Sequence, residues 1–207
     1  MPNEKELVRL AKAGEQQAFS DLVSAYEGKI YNLALRYMGN REDALDASQE
    51  VFLRMYRFLS GFQEDSSVST WLYRICVNVC KDLLAKRARR NEQPLEYGEE
   101  GEEHCETEIS DARYEPAQLA ERREMQRVLR EAIDQLPVSQ REMILLRDIR
   151  GLSYEEIGQV LSLEEGTVKS RLFRARAQLR KKLLQNGNIF DLSPSKEQKG
   201  GKANDIL

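Results

Sequence analysis

Histidine is nearly missing from this chain of 207 residues, which holds only His104. That excludes Ser-His-Asp triads and almost every His-ligated metal site. Cysteine is scarce and odd in number: Cys76, Cys80 and Cys105 form no CxxC pair, so neither a disulfide framework nor a zinc ribbon is available, and reduced thiols are expected. No apolar run approaches the ~18–20 residues that span a bilayer, and the start, Met1-Pro2-Asn3-Glu4-Lys5-Glu6, lacks the basic and apolar segments of a secretory leader. A cytoplasmic protein without membrane insertion is expected. There is no glycine loop to cradle phosphate, no nucleophile beside a base and no metal-ligand cluster, so the expectation is a non-enzyme with no cofactor and no metal. With only 5 prolines and 12 glycines, the chain has few breakers.

What is present is charge and helical periodicity. Charged residues make up 32% and hydrophobic residues 41%, which suits a helical protein of one or two small domains. The net charge of -3 hides a partition. Residues 1–92 carry 14 basic and 13 acidic residues, 93–116 carry 1 and 9, 117–185 carry 14 and 10, and the tail from 186 carries 3 of each. The acidic stretch lacks apolar periodicity and contains Pro94, Gly98, Gly101 and Pro116, so it reads as a flexible linker. Residues 186–207 read as a low-order tail. The fold class is therefore all-α, two small helical domains (1–92 and 117–185) joined by an acidic linker (93–116).

In the first domain, Phe19, Leu22, Val23, Tyr26, Ile30, Leu33, Ala34 and Tyr37 recur at the three-and-four spacing of one helical face, and Gly39-Asn40 ends that helix. Asn40 can cap a second helix with Ala44, Ala47, Val51, Met55 and Phe58 along one side, stopped at Gly61. A third begins near Ser69-Thr70 and buries Leu72, Ile75, Cys76, Val79 and Leu83. On its opposite side lie Arg74, Asn78, Lys81 and Ala85, with Trp71 at the boundary and Lys86-Arg87-Ala88-Arg89-Arg90 beyond. Cations that neutralise phosphate, an aromatic that stacks on bases and an amide that bonds a base edge suit a nucleic-acid strand. The alternative is a solvated face beside a buried Trp71.

In the second domain, Leu119–Leu136 is amphipathic, Pro137 breaks it, and Ser139–Arg150 supplies a further helix. Ser153-x-x-Glu156 is a capping box opening a short helix to Leu161, and a tight turn at Ser162–Glu165 leads into Gly166–Arg176, a helix-turn-helix arrangement. Val168, Leu172, Ala175 and Leu179 form one stripe of the last helix, and Lys169, Ser170, Phe173 and Arg174 face the other way. Phe173 either meets a thymine methyl in the major groove or covers a junction with a neighbouring helix.

Three segments in this order carry a resemblance: Asp43-Ala44-Leu45-Asp46-Ala47-Ser48-Gln49-Glu50-Val51-Phe52-Leu53, Ser69-Thr70-Trp71-Leu72-Tyr73-Arg74-Ile75-Cys76-Val77-Asn78, and Gly166-Thr167-Val168-Lys169-Ser170-Arg171-Leu172-Phe173-Arg174-Ala175-Arg176. Over residues 5–185 the chain resembles extracytoplasmic-function (ECF) sigma factors, the smallest bacterial RNA polymerase sigma subunits. The resemblance implies that residues 1–92 bind core polymerase and recognise and melt the minus-10 element. It also implies that 117–185 reads the minus-35 duplex. Asp46, Gln49 and Glu50 would dock on the coiled coil of the largest polymerase subunit, with the flap as a second contact. Phe62, Trp71, Arg74, Asn78 and Lys81 would meet the minus-10 strand, with the Gln63–Val68 loop around an extruded base. Thr167, Lys169, Ser170, Arg171, Phe173 and Arg174 would read minus-35. The linker would thread the polymerase cleft, or serve only as a solvating spacer. An anti-sigma factor, soluble or membrane-anchored, would hold the chain inactive, and the free chain would be a monomer. Val68 stands where many relatives carry an aromatic, and Cys76 where alanine is usual.

Cys76 and Cys80, one turn apart, read as small core residues rather than a redox or zinc pair. His104 and Cys105 are too few ligands for a metal, and the end Asp205-Ile206-Leu207 reads as plain tail rather than a partner handle. The competing reading is a stand-alone helix-turn-helix regulator, which would dimerise and bind DNA unaided.

Overall fold

The computed structural model describes residues 3–63, 65–89 and 116–185, with side chains in the last segment from Arg123 onward. The acidic stretch with His104 and Cys105, and the tail beyond Gln185, lie outside the described residues. Every regular element described is helical, as the periodicity predicts.

Helix α1, Glu4–Lys12, is absent from the expected elements, which begin at Phe19. Its signals are short: Asn3 accepts from the Lys5 amide at 3.1 Å, acids fill the first turn, and Arg9 and Lys12 the last. Helix α2, Gln16–Met38, buries Leu22, Tyr26, Ile30, Leu33 and Tyr37 and ends where Gly39 adopts φ 79°, a left-handed C-cap natural to glycine. Helix α3, Arg41–Phe58, starts at the expected cap, with the Asn40 side chain accepting from the Asp43 amide at 2.9 Å. A 3-10 turn, Leu59–Gly61, closes it. Helix α4, Val68–Arg89, is held at its start by the Ser67 hydroxyl, which accepts from the Thr70 amide.

Helix α5, Pro116–Asp134, begins with proline at its first position, where a missing N–H costs nothing. Pro116 thus opens a helix rather than closing the linker. The single helix expected over 139–150 is instead α6, Val138–Ile144, followed by a π-helical turn, Leu145–Ile149. Four consecutive apolar residues, Met143 to Leu146, are all buried, more than one α-helical stripe accommodates. The Arg150 amide reaches back five residues to the Leu145 carbonyl, widening the turn. Helix α7, Tyr154–Leu161, carries the predicted capping box, and α8, Glu165–Gln185, follows.

Helices α2, α3 and α4 pack on one another around Leu22, Ile30, Leu33, Val51, Met55, Leu72 and Val79. Helices α6, α7 and α8 enclose Met143, Ile144, Leu146, Ile157, Val168 and Leu172. The two helical units expected from the sequence are present, and they also touch directly. Helix α7 packs directly on α4, and the two cores join into one. Tyr73 and Val77, outside the predicted stripe of α4, are buried as well.

Candidate nucleic-acid and polymerase-docking faces

Three exposed faces and one cavity stand out on this scaffold. On α3 the buried series Ala44, Ala47, Val51 and Met55 turns Asp46, Gln49 and Glu50 outward, as expected. Glu50 pairs with Arg54 at 2.8 Å, and Arg54 also reaches Asp82 at 3.2 Å. Two residues that the sequence reading passed over continue this side: Leu53, and Tyr56, which is 70% exposed. Positions 46, 49, 53 and 56 repeat at three and four, so an apolar and acidic stripe runs along the helix. The available signal was that Leu53 and Tyr56 fall out of register with the buried stripe.

Helix α4 presents Arg74 and Asn78 on its wet side, while Lys81, 44% exposed, pairs with the buried Glu142 of α6 at 2.9 Å. Trp71 is not on that surface: it is buried, and its indole stacks on the Phe62 ring with centroids 4.7 Å apart. The Lys12 ammonium donates to the Phe62 carbonyl and lies 5.5 Å from the ring centroid, so α1 pins the loop that carries Phe62. A cavity of about 210 Å³ opens beside it, with Val8, Phe62 and Val68 as apolar walls and Glu4, Lys5, Ser66 and Ser67 as polar rim. The contribution of α1 was not anticipated, because its helix was not.

The helix-turn-helix depends on Gly158 and Ser162. A Cβ on Gly158 would sit 2.7 Å from the Leu163 carbonyl oxygen, and the Leu163 amide donates to the Gly158 carbonyl at 2.9 Å. Ser162 takes the left-handed conformation that turns the chain between α7 and α8. Val168, Leu172 and Ala175 then lock one side of α8 into the core. The other side carries Lys169, Ser170, Phe173 and Arg174, with Thr167 and Arg171 at its edges. Phe173 is 76% exposed and covers no junction. Lys169 pairs with Glu165 at 2.6 Å and lies 5.6 Å from the Tyr154 ring centroid, whereas Arg174 bonds its own helix, through the Ser170 carbonyl.

Cys76 and Cys80 are both fully buried in α4, and a hydrogen bond between them together with burial pushes the Cys76 thiol well above its ordinary value. They fill core space, as expected. Among the described residues no cluster of three or more His, Cys, Asp or Glu could hold a metal, and no helix is long and apolar enough to cross a membrane.

Known proteins share this arrangement. The family described as Sigma-70 region 2 matches residues 22–90, and that described as Sigma-70, region 4 matches 126–179. The RNA polymerase sigma-H factor of Pseudomonas aeruginosa is 36% identical over 184 residues, 87% of this chain and 93% of the relative. The ECF RNA polymerase sigma-E factor of Escherichia coli is 38% identical over 174 residues, 82% of this chain and 88% of the relative. Among solved structures, CnrH in complex with the cytosolic domain of CnrY aligns with a TM-score of 0.60 at 29% identity, covering 88% of this chain and 97% of that one. Likeness that runs through both helical units decides against a stand-alone helix-turn-helix regulator. The chain belongs to the ECF RNA polymerase sigma factors, subunits that bring core polymerase to promoters.

Proposed function

We propose that the three faces divide the work of promoter recognition. Residues 1–92 bind core polymerase through Asp46, Gln49 and Glu50, joined by Leu53 and Tyr56, and recognise the minus-10 strand. Residues 117–185 read minus-35 with Thr167, Lys169, Ser170, Arg171, Phe173 and Arg174, and residues 93–116 connect them. The observation that carries this reading is the α8 side: an exposed phenylalanine between a lysine and an arginine has no role in folding, and its chemistry matches a thymine methyl flanked by guanine and phosphate.

At minus-10, Arg74 and Lys81 neutralise phosphates along the non-template strand while Asn78 bonds a base edge. The cavity beside Phe62 supports capture of an unstacked base, since its apolar walls meet a base face and its polar rim the base edge. Unstacking costs a few kcal/mol, which such contacts offset without nucleotide hydrolysis. Trp71 backs the Phe62 ring from inside, so it supports this pocket and does not itself stack on DNA. The chain acts as a cytoplasmic, non-enzymatic, monomeric subunit. The pairing of CnrH with CnrY in the solved relative supports a protein inhibitor of anti-sigma type here too, one that covers these faces.

The test is run-off transcription with purified core polymerase on fragmented DNA from the source genome, with mapped RNA 5′ ends. Factor-dependent starts that share two spaced upstream elements are expected. Asn78→Ala should lower output most where minus-10 is altered, and Arg174→Ala where minus-35 is. Equal output from both variants and the parent chain would remove these residues from the interface.

A further inference from the structure

Helix α1 meets the cavity beside Phe62 with its first turn, and two bonds at opposite ends of the helix hold it there. At its C-terminal end the Lys12 ammonium donates to the Phe62 carbonyl. At its N-terminal end the Tyr26 hydroxyl, carried on the buried face of α2, donates to Oε2 of Glu4. Burial, followed by the hydrogen bond to Glu4, pushes the Tyr26 phenol above its ordinary value, so it stays a donor. Glu4 lines the cavity, and among the described residues no hydrogen bond reaches its other oxygen, Oε1. A carboxylate fixed through one oxygen presents the second in a set place, as a group that can only accept.

The rest of the lining does little to tell one base from another. Val8, Phe62 and Val68 offer apolar walls, and every base has a π-face to lay against them. The Ser67 hydroxyl is committed to the start of α4: it accepts from the Thr70 amide at 3.1 Å and pairs with the Ser69 and Thr70 hydroxyls at 2.8 Å each. The Ser66 hydroxyl both donates and accepts, so it suits either kind of base edge. Lys5 is exposed, and its ammonium, a compact point charge on a flexible stem, suits the phosphate beside the base. Glu4 is left as the group with a one-way requirement, since it needs a donor. Adenine, cytosine and guanine each carry an exocyclic amino group, and thymine carries none. Thymine places a carbonyl oxygen where cytosine has its amino group, and covering an acceptor without a donor is costly.

We propose, resting on the reading that places an unstacked minus-10 base in this cavity, that Glu4 selects that base: its free oxygen accepts from the exocyclic amino group, and the pocket thereby prefers an amino-bearing base over thymine. Helix α1 so takes part in promoter choice, through a residue outside the loop and the helix that otherwise form the site. Tyr26 acts through Glu4 as its positioning residue, and Lys12 sets the Phe62 wall against it.

The experiment uses holoenzyme assembled from core polymerase and the full chain. It is bound to fork-junction DNA that carries a promoter found in the run-off assay and is single-stranded through the minus-10 non-template segment. An abasic site placed at each minus-10 position in turn finds the captured base by the loss of affinity. The base there is then replaced by the analogue that lacks only its amino group: purine for adenine, pyrimidinone for cytosine or hypoxanthine for guanine. The parent chain should lose roughly tenfold in affinity with the analogue, as expected for a hydrogen bond to a charged group, and Glu4→Ala should lose less than about twofold. Glu4→Gln keeps an oxygen for Tyr26 and turns its amide donor toward the base, so it should raise the affinity for thymine relative to the captured base. Glu6→Ala, on the same helix but paired with Arg9 and outside the cavity lining, should behave as the parent chain. Circular dichroism checks the helix content of all three variants. A captured thymine, or an equal loss with the analogue in the parent chain and Glu4→Ala, would overturn the role of Glu4. So would the same change of preference in Glu6→Ala, which would trace it to the stability of α1. Binding that no abasic site weakens would instead overturn the capture of a base, and with it the reading of the cavity.

Discussion

Phe62 and Trp71 form a stacked pair, with ring centroids 4.7 Å apart and planes inclined by 29°, joining the loop before α4 to the helix itself. Both rings are buried, and Lys12 from α1 holds the loop from the other side. The pair therefore fixes the wall of the cavity in which a base would sit. Trp71→Ala deletes a buried aromatic and should cost about 3–5 kcal/mol, whereas Trp71→Phe keeps a ring on Phe62 and should recover most of it. Urea denaturation measures both. An unfolding midpoint for Trp71→Ala equal to that of the parent chain would mean that the ring pair holds nothing. Trp71 is the only tryptophan, so its emission should also change when a minus-10 single strand binds and stay constant when a minus-35 duplex binds.

The exposed Phe173 gives a prediction of opposite kind, large in function and negligible in stability. Its ring loses little on truncation because it packs on little, so Phe173→Ala should leave the melting temperature within about 1 °C of the parent value. Affinity for the minus-35 duplex should fall several-fold, and replacing the contacted thymine by uracil should mimic the substitution in the parent chain but add nothing in the variant. Lys169→Ala should instead weaken binding to all duplexes alike and lower the salt slope by about 1. Gel-shift titrations at two salt concentrations separate these patterns. Uniform loss from Phe173→Ala across unrelated duplexes would remove it from base reading.

The α3 stripe combines acids that steer with an aromatic that anchors. Reversal of charge in Asp46→Arg with Glu50→Arg should abolish association with core polymerase while leaving helix content unchanged, since Asp46 is exposed and Glu50 pairs with the neighbouring Arg54 at the surface. Tyr56→Ala should slow capture little and speed release by about tenfold, because large aromatics dominate the buried centre of an interface. Its ring also meets Phe19 edge-on at 5.3 Å, so a small loss of stability accompanies the change. Surface-immobilised core polymerase resolves the two rates. Retained binding by the double charge reversal would place the docking face elsewhere on the chain.

What the sequence revealed and what it hid follow from the range of the forces involved. Asn40, Gly39 and the Ser153–Glu156 box act within four residues, and each lies where the pattern predicted it. The two faces of α8 were equally legible, because one buried stripe at Val168, Leu172 and Ala175 leaves the other side fixed by 100° geometry. Trp71 was not: a residue on the boundary of a stripe goes inside or outside according to which ring it meets, and Phe62 lies nine positions away in a loop. The burial of Tyr73 and Val77 was hidden for a stronger reason. Helix α7 packs on α4 and Arg150 lies over the Tyr73 ring, both from across a linker whose sequence carries no register information, and an amphipathic pattern records only that a face is apolar. Glu142 looked like an ordinary surface acid until Lys81 and Tyr37 enclosed it.

The cap of α7 links stability to acidity. Glu156 accepts from the Ser153 backbone amide at 2.8 Å and from the Thr70 hydroxyl at 3.0 Å, and the backbone bond is the larger cause holding its carboxyl below the ordinary glutamate value of 4.5. A depressed folded-state value means that the unfolded chain binds the proton first as pH falls. The stabilisation is therefore fully present above about 4.5 and is lost as pH falls through the lower folded-state value. Glu156→Gln should lower the melting temperature at pH 7, and its gap to the parent chain should narrow as pH falls below about 4.5 through the lower folded-state value. Ser153→Ala removes the reciprocal half of the box, worth about 1 kcal/mol or roughly 2–4 °C for a chain of this size, and its offset should persist at both pH values because the hydroxyl does not titrate. Thermal unfolding followed by circular dichroism at pH 7, 5 and 3 distinguishes the two patterns. A constant gap between Glu156→Gln and the parent chain across that range would show that the carboxylate charge contributes nothing to the cap.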